Sequence, residues 1–163
     1  QGRLLVAPPM FFHSTAYRYF VRRIFELVGD DGLCDGDVFI SNHPYDGSMP
    51  HVPDMGVIVP IFQSKELIGF AGSIAHKADV GGTMPGSTWG QATELFQEGI
   101  VYPPTRLYRA GVYDQGIEPK IFINDFLELL YLFGRRANLG PIEKDLFSFG
   151  CLSKVLQLLK LDR

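Results

Sequence analysis

Two β-forming runs lie on either side of a short polar turn, and they constrain the fold more than anything else in the chain. Residues 55–62 contain Val57-Ile58-Val59-Pro60-Ile61-Phe62, and residues 67–74 return as a second run after Gln63-Ser64-Lys65-Glu66. β-branched and aromatic segments bounded by turn residues predict an antiparallel hairpin, and Pro60 predicts an edge or a bulge within its first arm. The hairpin has a consequence for the segments outside it. His51 and Asp54 precede the first arm, while His76 and Asp79 follow the second. If the arms pair, these two segments meet at one end of the sheet, and the two imidazoles should approach within roughly 3–4 Å if they share a cation.

The remaining pattern is mixed. Apolar residues Tyr17, Phe20, Val21, Ile24, Phe25 and Val28 recur at three- and four-residue spacing, predicting a helix over 14–28 with Ser14 or Thr15 near its N-cap. A short strand over 2–6 and the Pro8-Pro9 break precede it. A second strand over 37–41 leads into a loop over 42–53. A Gly- and Pro-rich loop over 81–90 carries the single tryptophan, Trp89. A short helix is predicted over 92–98, an extended segment over 101–108, a turn at Ala110-Gly111, and helices over 118–133 and 142–161. The expected class is α+β, with a central antiparallel or mixed sheet and a hairpin at 55–74. At 163 residues the chain can bury a core. It reads as a single domain, or as a fragment of a larger subunit, because it opens on Gln1 in a strand-like segment.

Charge and cysteine content narrow the classes. A net charge of −3 carries no basic footprint, so nucleic acid is not an expected partner. The pairs Arg22-Arg23 and Arg135-Arg136 read as solvated helix positions. No apolar run suits a membrane span, and no signal-peptide pattern opens the chain. Cys34 and Cys151 match no metal or redox spacing and read as reduced thiols. The expected location is cytoplasmic.

The chemistry concentrates near the hairpin. Three of the four histidines fall between His43 and His76. His51-Val52-Pro53-Asp54 places an imidazole and a carboxylate three apart on a loop stiffened by Pro50 and Pro53. His76-Lys77-Ala78-Asp79 repeats the spacing. Nitrogen and oxygen donors of this kind hold divalent cations. The competing reading is ordinary polar loop residues with aspartates capping turns, and a single His-x-x-Asp would favour it. Two such pairs bracketing one hairpin favour metal. Asp79 and His43 are candidate further ligands or groups orienting a ligand, although Asn42-His43-Pro44 also suits a turn. Gly81 and Gly82 could approach a substrate or anion through backbone N–H groups, with a surface loop as the alternative. His13 stands apart in sequence and reads as a satisfied half-buried histidine.

The motifs also carry a resemblance. Gly36-Asp37-Val38-Phe39-Ile40-Ser41-Asn42-His43-Pro44-Tyr45, then His51-Val52-Pro53-Asp54, then Ala75-His76-Lys77-Ala78-Asp79-Val80-Gly81-Gly82 resemble the hydantoinase B/oxoprolinase family. Pro85-Gly86-Ser87 and Gln97-Glu98-Gly99-Ile100-Val101-Tyr102-Pro103-Pro104 continue the likeness in order, which extends over residues 1–115. His43 stands where the family usually has Asp, Lys77 stands where a further His is frequent, and residues 138–163 match poorly.

The resemblance implies an ATP-dependent cyclic amidohydrolase, acting on a hydantoin, oxoproline or lactam, or alternatively a ketone carboxylase of the acetone or acetophenone type. It implies a hydantoinase A-like subunit or domain that uses ATP with Mg to phosphorylate a carbonyl-derived oxygen, and therefore a hetero-oligomer. It also implies a divalent metal, Mn or Zn, on His51, Asp54 and His76. No phosphate loop of the Gly-x-x-x-x-Gly-Lys-Ser/Thr type is present, so ATP chemistry is expected from the partner. A third possibility is a non-catalytic assembly module with a structural metal.

Overall fold

The computed structural model describes residues 2–5, 11–86, 89–114 and 157–161. Among the described residues the strands are β1 (Gly2–Leu4), β2 (Val38–Ser41), β3 (Asp54–Gln63), β4 (Glu66–His76), β5 (Thr105–Arg109), β6 (Val112–Tyr113) and β7 (Gln157–Leu161), with one α-helix, α1 (Phe11–Val28). The strands form one sheet in the order β1-β7-β4-β3-β2-β5-β6. Every pairing among the described residues is antiparallel.

The hairpin forms as the sequence predicts, and each arm is longer. Its register runs from Asp54 opposite His76 to Gln63 opposite Glu66. Ser64 and Lys65 make the turn, with φ of 51° and 68°. Positive φ at both central residues gives the turn the twist that antiparallel strands need. The irregularity that Pro60 suggests lies between Ile61 and Phe62. Pro60 itself sits beyond β2, which pairs only with Gly56 through Ile58 of β3.

The two faces of β3 serve different cores. Met55, Val57 and Val59 pack with Val38, Ile40 and Leu107. Ile58 lies on the other face with Phe39 and Phe70, beneath Ala16, Tyr17, Phe20 and Ile24 of α1. Burial on both faces explains why β3 reads as a continuous apolar run rather than an alternating one. Gly72 lets α1 lie close to the sheet, and Gly56 makes room for Met49 of the loop. A Cβ at Gly72 would fall 2.7 Å from Ile58 Cδ1 and 2.9 Å from Tyr17 Cδ1, and one at Gly56 would fall 2.5 Å from Met49 Cε.

Several expectations need correction. The helix starts at Phe11, not at residue 14, so Ser14 and Thr15 lie inside it. Its buried stripe includes His13, Ala16, Tyr17, Phe20 and Ile24. A histidine contributes nothing to an apolar periodicity, which hid the first turn. The helix expected over 92–98 is a 3-10 turn, Leu95–Gln97. There the Gln97 side-chain oxygen accepts from the N–H groups of Thr93 and Glu94 at 2.7 and 3.1 Å. Within the helix expected over 142–161, Gln157–Leu161 is instead a strand, because β4 offers its backbone edge to residues 157–160. Residues 142–156, Cys151 and the helix expected over 118–133 lie outside the described residues. No helix among the described residues is long and apolar enough to cross a membrane. Cys34 is a half-buried free thiol.

Candidate metal centre

Strand alternation decides which side chains meet. Asp54 shares the parity of Gly56 and Ile58, so it projects toward α1, and its cross-strand partner His76 projects the same way. His51 arrives from the loop before β3. A turn in which the Asp54 N–H donates to the His51 carbonyl at 3.1 Å folds that loop back onto the strand end.

The loop itself is pinned by Asn42, which is fully buried. Its Nδ2 donates to the carbonyls of Val52 (2.9 Å) and Ile100 (2.8 Å), and its Oδ1 accepts from the Tyr102 N–H. Beyond the hairpin, the Lys77 N–H donates to the Pro53 carbonyl at 2.8 Å and carries the ladder past His76. The Asn42 side chain on one flank and the Lys77–Pro53 backbone bond on the other therefore hold the site in place.

His51, Asp54 and His76 converge, and their candidate ligand atoms all lie within 4.8 Å of one another. His76 Nδ1 is 3.1 Å from His51 Nε2 and 3.1 Å from Asp54 Oδ1. His51 Nε2 is 3.3 Å from the same carboxylate oxygen. The imidazole rings stack with centroids 4.8 Å apart and planes 28° from parallel. The approach anticipated from the hairpin is met.

This donor set fits a divalent cation. Ligand atoms about 2.0–2.2 Å from a common ion are separated by roughly 2.8–3.6 Å in octahedral or tetrahedral geometry, and the spacings present fall in that range. The carboxylate is buried at 5% side-chain exposure, whereas His51 and His76 are 38% and 53% exposed. The group is thus anchored from inside and open toward solvent.

The other sequence candidates lie elsewhere. His43 turns into its own loop, where Nδ1 accepts from the N–H groups of Tyr45 (3.2 Å) and Asp46 (3.0 Å). Its ring shapes a turn, the simpler of the two roles the sequence allowed. Asp79 does not join the three converging residues among those described. Its Oδ1 accepts from the Gly81 N–H at 2.8 Å, so that N–H already has an acceptor. Gly82 serves a close backbone approach, because a Cβ there would meet Glu98 O at 2.6 Å. Segments 80–83 and 97–100 are joined on either side of it, Ile100 N–H to Val80 O and Thr83 N–H to Gln97 O, each at 2.8 Å.

His13 corrects a further expectation. It is buried rather than half-buried, and it does not stand apart, since its Nε2 lies 3.6 Å from Asp54 Oδ2. The available signal was its position four residues before Tyr17 on the helix stripe.

Known proteins are similar to this chain in sequence and in fold. The chain is 41% identical to the 5-oxoprolinase of Saccharomyces cerevisiae over 94 residues, 57% of this chain and 7% of that protein. It is 29% identical to the acetophenone carboxylase delta subunit of Aromatoleum aromaticum over 97 residues, 60% of this chain and 14% of that protein. Among solved structures it resembles the ATP-dependent caprolactamase from Pseudomonas jessenii, with a TM-score of 0.51 and 27% identity over 71% of this chain and 18% of that one. The chain therefore spans less than a fifth of each of these relatives. A family profile for hydantoinase B/oxoprolinase matches residues 1–130. That match takes in most of the sequence, and this chain belongs to the hydantoinase B/oxoprolinase family.

Proposed function

We propose that this chain is the metal-binding part of a hydantoinase B-like subunit that completes ATP-dependent hydrolysis of a cyclic amide. The observation that carries the reading is the convergence of His51, Asp54 and His76. The names of the relatives support ATP-dependent chemistry on lactams and related amides. The open solvent side favours a catalytic over a structural site, since structural sites close all four positions with protein ligands.

Mn or Zn held there would supply Lewis-acid polarisation and lower the pKa of water. The protein's own part is to present two imidazole nitrogens and one carboxylate oxygen in fixed register. The rigid end of the hairpin orients them, and the exposed edges of His51 and His76 leave one side for a small substrate. The chain has no phosphate loop, so a hydantoinase A-like subunit or domain using ATP and Mg is the partner this reading needs. Ketone carboxylation is the second reading, and the acetophenone carboxylase relative favours it.

Elemental analysis of the purified chain tests the metal. Wild type should carry close to one equivalent of Mn or Zn, and His51→Ala and His76→Ala should carry none. Equal metal in all three overturns the assignment. With the A-like partner present, ATP turnover against a panel of hydantoin, oxoproline, lactam and ketone separates the two reactions. The chain alone should turn over neither ATP nor any of these compounds.

A further inference from the structure

Asp54 has two oxygens, and they face different neighbours. Oδ1 meets His51 and His76. Oδ2 points to α1, where His13 Nε2 is 3.6 Å away, with side-chain exposures of 8% and 5% for His13 and Asp54. At that distance the contact is electrostatic rather than a hydrogen bond. A carboxylate buried this deeply needs a compensating partner on each oxygen. His13 occupies a place on the α1 stripe that an apolar side chain would fill as well, beside Ala16, Tyr17 and Phe20. Gly72 beneath Tyr17 keeps the helix near enough for an imidazole in its first turn to approach the strand end.

We propose that His13 is a positioning residue of the metal centre, holding Asp54 Oδ2 so that only Oδ1 is offered as a ligand. The proposal rests on the metal-site reading and extends it to a residue on a different element. A carboxylate held by one oxygen keeps its single-atom mode of coordination, and groups that hold a ligand in this way typically change metal affinity 10–100-fold when removed. Without His13 the carboxylate is free to rotate and offer both oxygens.

The experiment compares apo wild type with His13→Met, His13→Gln and His51→Ala, all in the full chain. Gln and Met have similar reach, and only Gln carries an N–H donor near the position of His13 Nε2. Mn2+ affinity is measured by calorimetry, Co2+ coordination by visible absorption, and folding by circular dichroism. His13→Met should weaken Mn2+ binding about 10–100-fold, and His13→Gln should stay within about threefold of wild type. The absorption per bound Co2+ should fall in His13→Met as Asp54 adds its second oxygen and the coordination number rises. If His13→Met melts below the assay temperature, His13→Asn replaces it, since its donor is too short to reach Asp54. Wild-type affinity and an unchanged Co2+ spectrum in whichever of His13→Met and His13→Asn is folded would make His13 a core residue and overturn the proposal. The site would still stand if His51→Ala loses the metal. Retention of metal by His51→Ala would instead remove the site itself.

Discussion

Removing the Asn42 side chain should be among the most damaging single changes at the periphery of the site. Asn42→Ala deletes two donors and one acceptor from a fully buried position. It orphans the carbonyls of Val52 and Ile100 and the N–H of Tyr102. At about 1 kcal/mol net per hydrogen bond the loss is at least about 3 kcal/mol, rising to about 6 if the three groups stay dry. A domain with about 5–15 kcal/mol in total would lose a large part of its stability. Equilibrium urea unfolding of the full chain measures it, with the slope checked for constancy. Asn42→Asp provides the second arm. It keeps the acceptor for Tyr102, removes both donors, and sets a carboxylate against two carbonyl oxygens. Burial and those dipoles raise the folded pKa of such an acid. Its penalty relative to wild type should therefore be least below the unfolded carboxyl pKa, where the protonated acid still supplies one donor, and grow as pH rises from the unfolded pKa through the folded one. Because Val52 adjoins His51, metal content should fall in both variants even where they remain folded. A loss below about 1 kcal/mol for Asn42→Ala would refute the claim that these three bonds hold the loop.

Two further outcomes follow from local geometry. Gly82→Ala should cost about 1–3 kcal/mol in thermal or urea unfolding, since the new Cβ meets Glu98 and Gln97 backbone rather than a flexible side chain. Gly90→Ala, which meets nothing within 4 Å, should cost little. Burial raises the Tyr108 phenol above 10.0, so its contribution to stability is present below the unfolded value and lost as pH rises through the folded one. Melting curves taken up to about pH 11 should show Tyr108→Phe losing less stability than wild type over that interval.

The sequence carried the centre of the fold because its signals there were local. The polar break at 63–66 and the β-branched run before it fixed the hairpin, and the hairpin fixed the meeting of His51, Asp54 and His76. Where the structure differs, the determinant lies in distant partners. The Leu-rich segment 157–161 suits helix or strand by pattern, and the free edge of β4 decides for strand. The first turn of α1 carries His13 toward Asp54, and Tyr17 one turn on lies in the core with Ile58 and Phe70. Asn42 was legible only as part of a motif, because its role depends on Val52, Ile100 and Tyr102, which the chain brings together over 58 to 60 residues in two of the three bonds.

The placement of Asp54 explains why the site can be both rigid and open. As the first residue of β3 it is bonded into the ladder opposite His76, so its backbone is as fixed as the core beneath it. Its side chain points inward, where α1 covers it, and the two histidines rise from it toward solvent. A site built wholly on the 42–53 loop would depend for its geometry on Asn42 and the loop's own turn bonds. One built wholly within the strands would have no face left for a substrate. Dividing the donors between a strand end, its cross-strand neighbour and a pinned loop meets both requirements, because the buried carboxylate sets the position and the exposed imidazoles leave access. That division is also why perturbations at Asn42, a residue outside the donor set, and at Asp54 itself should both reach the metal. The first acts through the loop that carries His51, and the second through the carboxylate that both histidines contact.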